Sequence, residues 1–85
     1  MLHYVYIIYS RTHSIFYRGY SLSPMERVLQ HNDNKGRYTK NKGPWELLFM
    51  QSYKTKTEAL IRERSLKKYS KSQIRELISS PKNEL

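Results

Sequence analysis

Residues 4–20, Tyr-Val-Tyr-Ile-Ile-Tyr-Ser-Arg-Thr-His-Ser-Ile-Phe-Tyr-Arg-Gly-Tyr, decide how this chain is read. The β-branched and aromatic run 4–10 reads as a strand. Arg11-Thr12-His13-Ser14 is a polar turn, and residues 15–20 read as the returning strand of a hairpin. Setting Ser10 opposite Ile15 places Ile8 opposite Tyr17 and Tyr6 opposite Gly19. Side chains alternate along strands, so Tyr6, Ile8, Tyr17 and Gly19 share one face. Tyr6 and Tyr17 then become diagonal neighbours, roughly 7–8 Å apart along the backbone and within reach for aromatic side chains. Gly19 leaves room opposite Tyr6; a glycine inside a strand marks either a close approach or a bulge.

Outward from the hairpin, three helix starts are written in the sequence. Ser23-Pro24-Met25-Glu26 offers an N-cap serine, a proline at the first helical position and a glutamate to close a capping box. That helix should end near Asn32. Residues 33–44 form a polar, glycine-containing loop, and Trp45 to Ser52 reads as a third strand. Thr55-x-x-Glu58 opens a helix to about Lys68, and Ser70-x-x-Gln73 opens a short one through Ile78. Pro81 and a charged tail follow. The expectation is a small α/β domain over 1–80, a three-stranded antiparallel sheet flanked by helices in the order β-β-α-β-α-α, with 81–85 as a loose tail.

Composition narrows the partners. The chain has 85 residues, 16 basic against 7 acidic, and a formal net charge of +9. A domain this small buries only roughly 60% of its unfolded surface, which leaves little for a separate ligand cavity. The excess positive charge favours a polyanion. Eight tyrosines, one tryptophan and two phenylalanines interleave with those charges. That mixture suits nucleic acid, because phosphates attract cations and unstacked bases lie on aromatic faces. Without cysteine there is neither a disulfide nor a thiolate metal site. No signal peptide or membrane span is read, so the expected setting is the cytoplasm, with no membrane partner.

Several residues carry possible chemistry. Glu63 falls between Ala59 and Leu60 on the helical wheel, with Leu66 on the same stripe. A carboxylate there is costly to bury unless paired or metal-bound. One such oxygen ligand suits Mg²⁺, which keeps several waters; the alternative is a surface pair with Lys67. Arg27 and His31 are spaced i,i+4, on the flank opposite a core face expected at Met25, Val28 and Leu29. An arginine fork binds phosphate and a histidine beside it shuttles a proton, unless both are simply solvated. A phenol titrates near about pH 10 and acts as a base only where cations stabilise the phenolate. Otherwise Tyr6 and Tyr17 are core residues.

Together these residues resemble a GIY-YIG nuclease domain. Tyr4-Val5-Tyr6 resembles the GIY element and Tyr17-Arg18-Gly19 the YIG element, with Arg27 at the helix arginine and Glu63 at the metal-binding glutamate. The likeness covers nearly the whole chain. It is greatest to a small stand-alone bacterial subfamily similar to the excision-repair nuclease catalytic domain, on the landmarks Gln-His-Asn, Tyr-Thr-Lys and Glu-Ala-Leu-x-x-Glu. The sequence departs from the pattern at Tyr4, at Arg18, and in lacking a downstream asparagine other than Asn83 in the tail.

The resemblance implies a metal-dependent endonuclease that hydrolyses DNA phosphodiesters. Glu63 would bind Mg²⁺ or Mn²⁺, Arg27 would stabilise the pentavalent phosphate, Tyr6 or Tyr17 would activate water, and His31 would assist. Tyr38 and Lys40 take a loop position of further phosphate contacts. Lys35, Arg37 and Lys42 of the same loop, with Lys67 and Lys68 in the run Arg62-Arg64-Lys67-Lys68-Lys71, are read as backbone-gripping cations. Phosphate contacts position a duplex without reading sequence, so a structure-selective or low-specificity enzyme is expected, with a role in repair or recombination. The alternatives are a nucleic-acid-binding module without activity and a basic protein adaptor. An open sheet edge allows a monomer or a weak homodimer.

Overall fold

A computed structural model describes residues 1–85. Strands β1 (His3–Ser10), β2 (Ile15–Ser21) and β3 (Trp45–Tyr53) alternate with helices α1 (Pro24–Asn32), α2 (Lys56–Leu66) and α3 (Lys71–Ile78). The β-β-α-β-α-α order and the three-stranded antiparallel sheet are as expected. The sheet runs β2-β1-β3, so the hairpin's first strand is central. Its register places Ser10 against Ile15, Ile8 against Tyr17 and Tyr6 against Gly19, as the alternation dictates.

Because β1 is central, both its faces are covered. Val5 and Ile7, with Phe16 and Phe49, pack against Ala59 and Leu66 of α2 and Ile74 and Leu77 of α3. Tyr6, Ile8 and Trp45 form a smaller cluster on the other face, beside Val28 of α1 and Tyr17. The molecule is thus α2–α3, sheet, then α1 with loop 33–44. That third layer is polar in its attachments. Asn32 bonds Trp45 through both ends of its carboxamide, and the Trp45 indole N–H donates to the Thr39 carbonyl at 3.2 Å. No helix is long and apolar enough to cross a membrane.

Two of the three expected caps form. Thr55 accepts from the Glu58 N–H at 3.2 Å, and Ser70 with Gln73 makes a full capping box. Ser23 makes no side-chain cap; its own N–H donates instead to the Ser21 hydroxyl at 2.9 Å. The inward face of α1 also differs from expectation. Met25 and Leu29 are exposed, while Pro24 and His31 are buried and Arg27 and Val28 half-buried. These inward positions recur at helical spacing, so Arg27 and His31 face the sheet together with Pro24 and Val28.

The tail is likewise not loose. The Asn83 amide donates to the carbonyls of Leu48 and Ile78, both at 2.9 Å, and its oxygen accepts from Met50 N–H at 3.3 Å. Glu84 N–H donates to the Met50 carbonyl at 2.9 Å, and its carboxylate accepts from Ser52 N–H at 2.7 Å. Residues 83–84 therefore run along the outer edge of β3 and satisfy backbone groups that an edge strand would leave open. Asn83 is committed to this edge, two strands away from Tyr17. Asn83→Ala should lower the unfolding free energy by about 1–3 kcal/mol by orphaning these partners. Urea unfolding measures it, and no change in midpoint would show that the tail contributes nothing.

Candidate active site

The centre of the site is the Tyr6 hydroxyl. Tyr6 is 1% exposed, and its phenol reaches the β2 edge only because Gly19 stands opposite. A Cβ at Gly19 would collide with the Tyr6 ring and hydroxyl. The strand glycine is therefore a clearance, and the hairpin ladder is regular through it. The only bulge-like shift lies between β1 and β3, at Ile7 and Ile8.

His31 of α1 meets Tyr6 from the third layer, with Nε2 at 2.8 Å from the phenol oxygen. The other ring nitrogen, Nδ1, lies 2.6 Å from the Thr39 hydroxyl. Both His31 and Thr39 are buried. Gly36 supplies a second clearance, because a Cβ there would strike Thr39 and the His31 ring. Burial first, and the Arg27 guanidinium second, lower the His31 pKa to about 4. The imidazole is thus neutral near pH 7, with one nitrogen donating and the other accepting along Tyr6–His31–Thr39.

Three further groups act on the Tyr6 hydroxyl. Burial raises its pKa most, the neighbouring Tyr17 adds to this, and Glu63 adds less; Arg27 opposes them. Arg27 of α1, Tyr17 of β2 and Glu63 of α2 therefore each act electrostatically on the phenol of β1. Tyr17 packs edge-on against the His31 ring at 5.2 Å and stacks on Tyr38 at 5.7 Å. Lys42 caps Tyr38, its ammonium 3.8 Å from the ring centroid. The Arg27 guanidinium donates to Gln30 at 2.8 Å.

Glu63 combines the two readings open for it. Its side chain is 18% exposed, and one oxygen lies 3.8 Å from the Lys67 ammonium. No group of three or more His, Asp or Glu side chains could cage an ion. A single, mostly buried carboxylate suits a hard cation that keeps its waters, such as Mg²⁺, and not a closed tetrahedral centre.

The predicted cations divide. Lys67 and Tyr38 line a groove of about 280 Å³ with Phe16, Tyr17 and Arg18, and Lys42 stands beside it on Tyr38. Lys35 belongs elsewhere: it pairs with Asp33 at 3.6 Å on the outward side of α1, near Leu29. Arg37, Lys40 and Lys68 are exposed and make no ion pair. Asn32 and Thr39 fall within the landmarks Gln-His-Asn and Tyr-Thr-Lys but were given no role, and Gly36 was missed. Gly36 hints that the loop closes on something.

Comparison with known proteins follows this geometry. The profile of the GIY-YIG catalytic domain matches residues 2–76, and the chain belongs to that nuclease family. Among bacterial proteins it is similar to a UPF0213 protein of Staphylococcus epidermidis, 43% identical over 72 residues, covering 84% of this chain and 87% of the relative. The UPF0213 protein YazA of Bacillus subtilis is 40% identical over 70 residues, covering 81% and 70%. The solution NMR structure of a UPF0213 protein from Bacillus halodurans superposes with a TM-score of 0.60 at 30% identity, over 99% of this chain and 89% of that one.

Two measurements test the centre. Gly19→Ala should cost about 1–3 kcal/mol through overpacking and pull the phenol from His31. Thermal unfolding reads the first, and the His31 ring shifts in NMR spectra the second. The depressed His31 value also sets a pH dependence. In the unfolded chain His31 returns to about 6.5, so as pH falls the unfolded state binds the proton first. Its contribution is complete above about pH 6.5 and is lost as pH drops to about 4. Stability should fall by an order of 3 kcal/mol across that window. In His31→Gln this component of the slope should disappear, as urea unfolding at stepped pH would reveal.

Proposed function

We propose that this protein is a metal-dependent endonuclease that hydrolyses DNA phosphodiester bonds, structure-selective or of low sequence specificity. The observation that carries this reading is Tyr17 in a groove with a cationic rim and against the Tyr6–His31 pair, where Arg27 and Glu63 act electrostatically on the Tyr6 hydroxyl. Glu63 would hold Mg²⁺ or Mn²⁺ with water completing the shell. The bound ion would neutralise charge on the phosphate oxygens. Arg27 stabilises the charge that builds on the attacked phosphate, where a fixed guanidinium fork acts best in a partly buried site.

The two tyrosines take different parts. Burial, Tyr17 and Glu63 hold the proton on Tyr6. Tyr6 therefore positions, with its hydroxyl fixed by neutral His31. Tyr17 faces the groove and activates the attacking water. Tyr38, Lys42 and Lys67 hold flanking backbone, while Arg37, Lys40 and Lys68 add to the field that draws DNA in. A role in DNA repair or recombination in the cytoplasm, as a monomer or weak homodimer, fits this chemistry.

One observation favours a second reading, a binding module that does not cut: Glu63 is engaged by Lys67. Cleavage of nicked, flapped and branched DNA with Mg²⁺ or Mn²⁺ separates the two. Glu63→Gln and Tyr17→Phe should each slow cleavage by about 10²-fold or more. Cleavage that survives both substitutions would sink the assigned site. Wild-type protein that binds every substrate and cuts none leaves the binding module.

A further inference from the structure

Arg18 has no part in the site described so far. Its register partner is Ile7, so it points to the α2–α3 face, while Tyr17 points to the α1 face. The two are neighbours on the outermost strand, and the groove over that edge is lined from both layers by Phe16, Tyr17, Arg18, Tyr38 and Lys67. Arg18 makes one hydrogen bond, from Nη2 to the Tyr69 carbonyl at 3.3 Å. Its Nε is buried and without a partner. The ion pairs of the molecule, Arg11–Glu46, Lys35–Asp33 and Lys67–Glu63, leave Arg18 with no counter-charge. A half-buried guanidinium lacking a carboxylate is costly, and an anion relieves that cost.

We propose that Arg18 and Lys67 form a second phosphate subsite in this groove, which takes the backbone phosphate next to the one being cut. The proposal rests on the nucleic-acid reading above. Lys67 is 62% exposed and tethered to Glu63 only across 3.8 Å, so its ammonium is free to turn to a phosphate in the groove. The stacked Tyr17 and Tyr38 form the opposite wall, which suits a nucleotide better than an acidic peptide. Since Tyr17 borders both the groove and the Tyr6 hydroxyl, one strand can occupy the site and the subsite together. The alternative is a purely structural Arg18 that bolts β2 to the α2–α3 turn.

Arg18→Gln removes the charge but also falls short of the Tyr69 carbonyl, so Arg18→Lys, which keeps the charge without the guanidinium fork, is measured beside it. The probe is a 5′-flap DNA bound in EDTA, so that cleavage does not enter. Its dissociation constant should rise about tenfold or more in Arg18→Gln and much less in Arg18→Lys, whatever melting temperature the two variants share. The slope of log K against log salt should flatten by about 0.7–0.9, one phosphate contact. A scan of single methylphosphonate linkages should find one flanking position that weakens wild-type binding and has no effect in Arg18→Gln. Should that variant fail to fold, Lys67→Gln on the exposed rim carries the same scan. Wild-type slopes in the variants, with the methylphosphonate effect at full size, overturn the subsite but leave DNA binding standing. Wild-type protein that binds no flap DNA at low salt overturns both.

Discussion

Everything near the site depends on one buried hydrogen-bonded line from Tyr6 through His31 to Thr39. It joins the apolar central strand to α1 and α1 to the loop, two segments that bury little apolar surface of their own. Buried polar groups stay only where each is satisfied, and here the satisfaction is mutual. Two glycines make the line possible by standing where a methyl group would break it: Gly19 under the Tyr6 phenol and Gly36 under His31 and Thr39. The small cluster of Tyr6, Ile8 and Trp45 is thus an apolar base under a polar roof.

The same line explains why α1 faces inward with its polar side. A helix that docked through Met25 and Leu29 would cover the sheet but turn His31 and Arg27 away from Tyr6. Leucine and methionine stand in water instead, while a histidine and a half-buried arginine take the inward positions. The arrangement lets the Arg27 charge act on the Tyr6 phenol and keeps the imidazole uncharged. Tyr6 pins α1 in place, while Tyr17 remains at the groove.

How much of this was readable depended on range. The hairpin could be read to the residue because strict alternation and a four-residue turn leave one register. Thr55 and Ser70 announced their helices because caps act within a single turn. Glu63 stood out as a carboxylate inside an apolar stripe. Ser23 misled because a competing hydroxyl, Ser21, took its N–H. The burial of His31 was hidden because its partners Tyr6 and Thr39 lie on other segments, and the Tyr-Thr-Lys landmark does not say what Thr39 touches. Arg18 was noted only as a departure from the YIG element, and its missing counter-charge is visible only when every neighbouring element is in place. Asn83, sought as a site residue, binds at the far edge of the sheet.

That far edge has a consequence for assembly. With residues 83–84 lying along β3, the sheet offers another chain a single free strand, β2. The groove runs over that same strand. A second copy that extended the sheet there would cover the groove. Pairing through this edge and filling of the groove therefore compete for the same space.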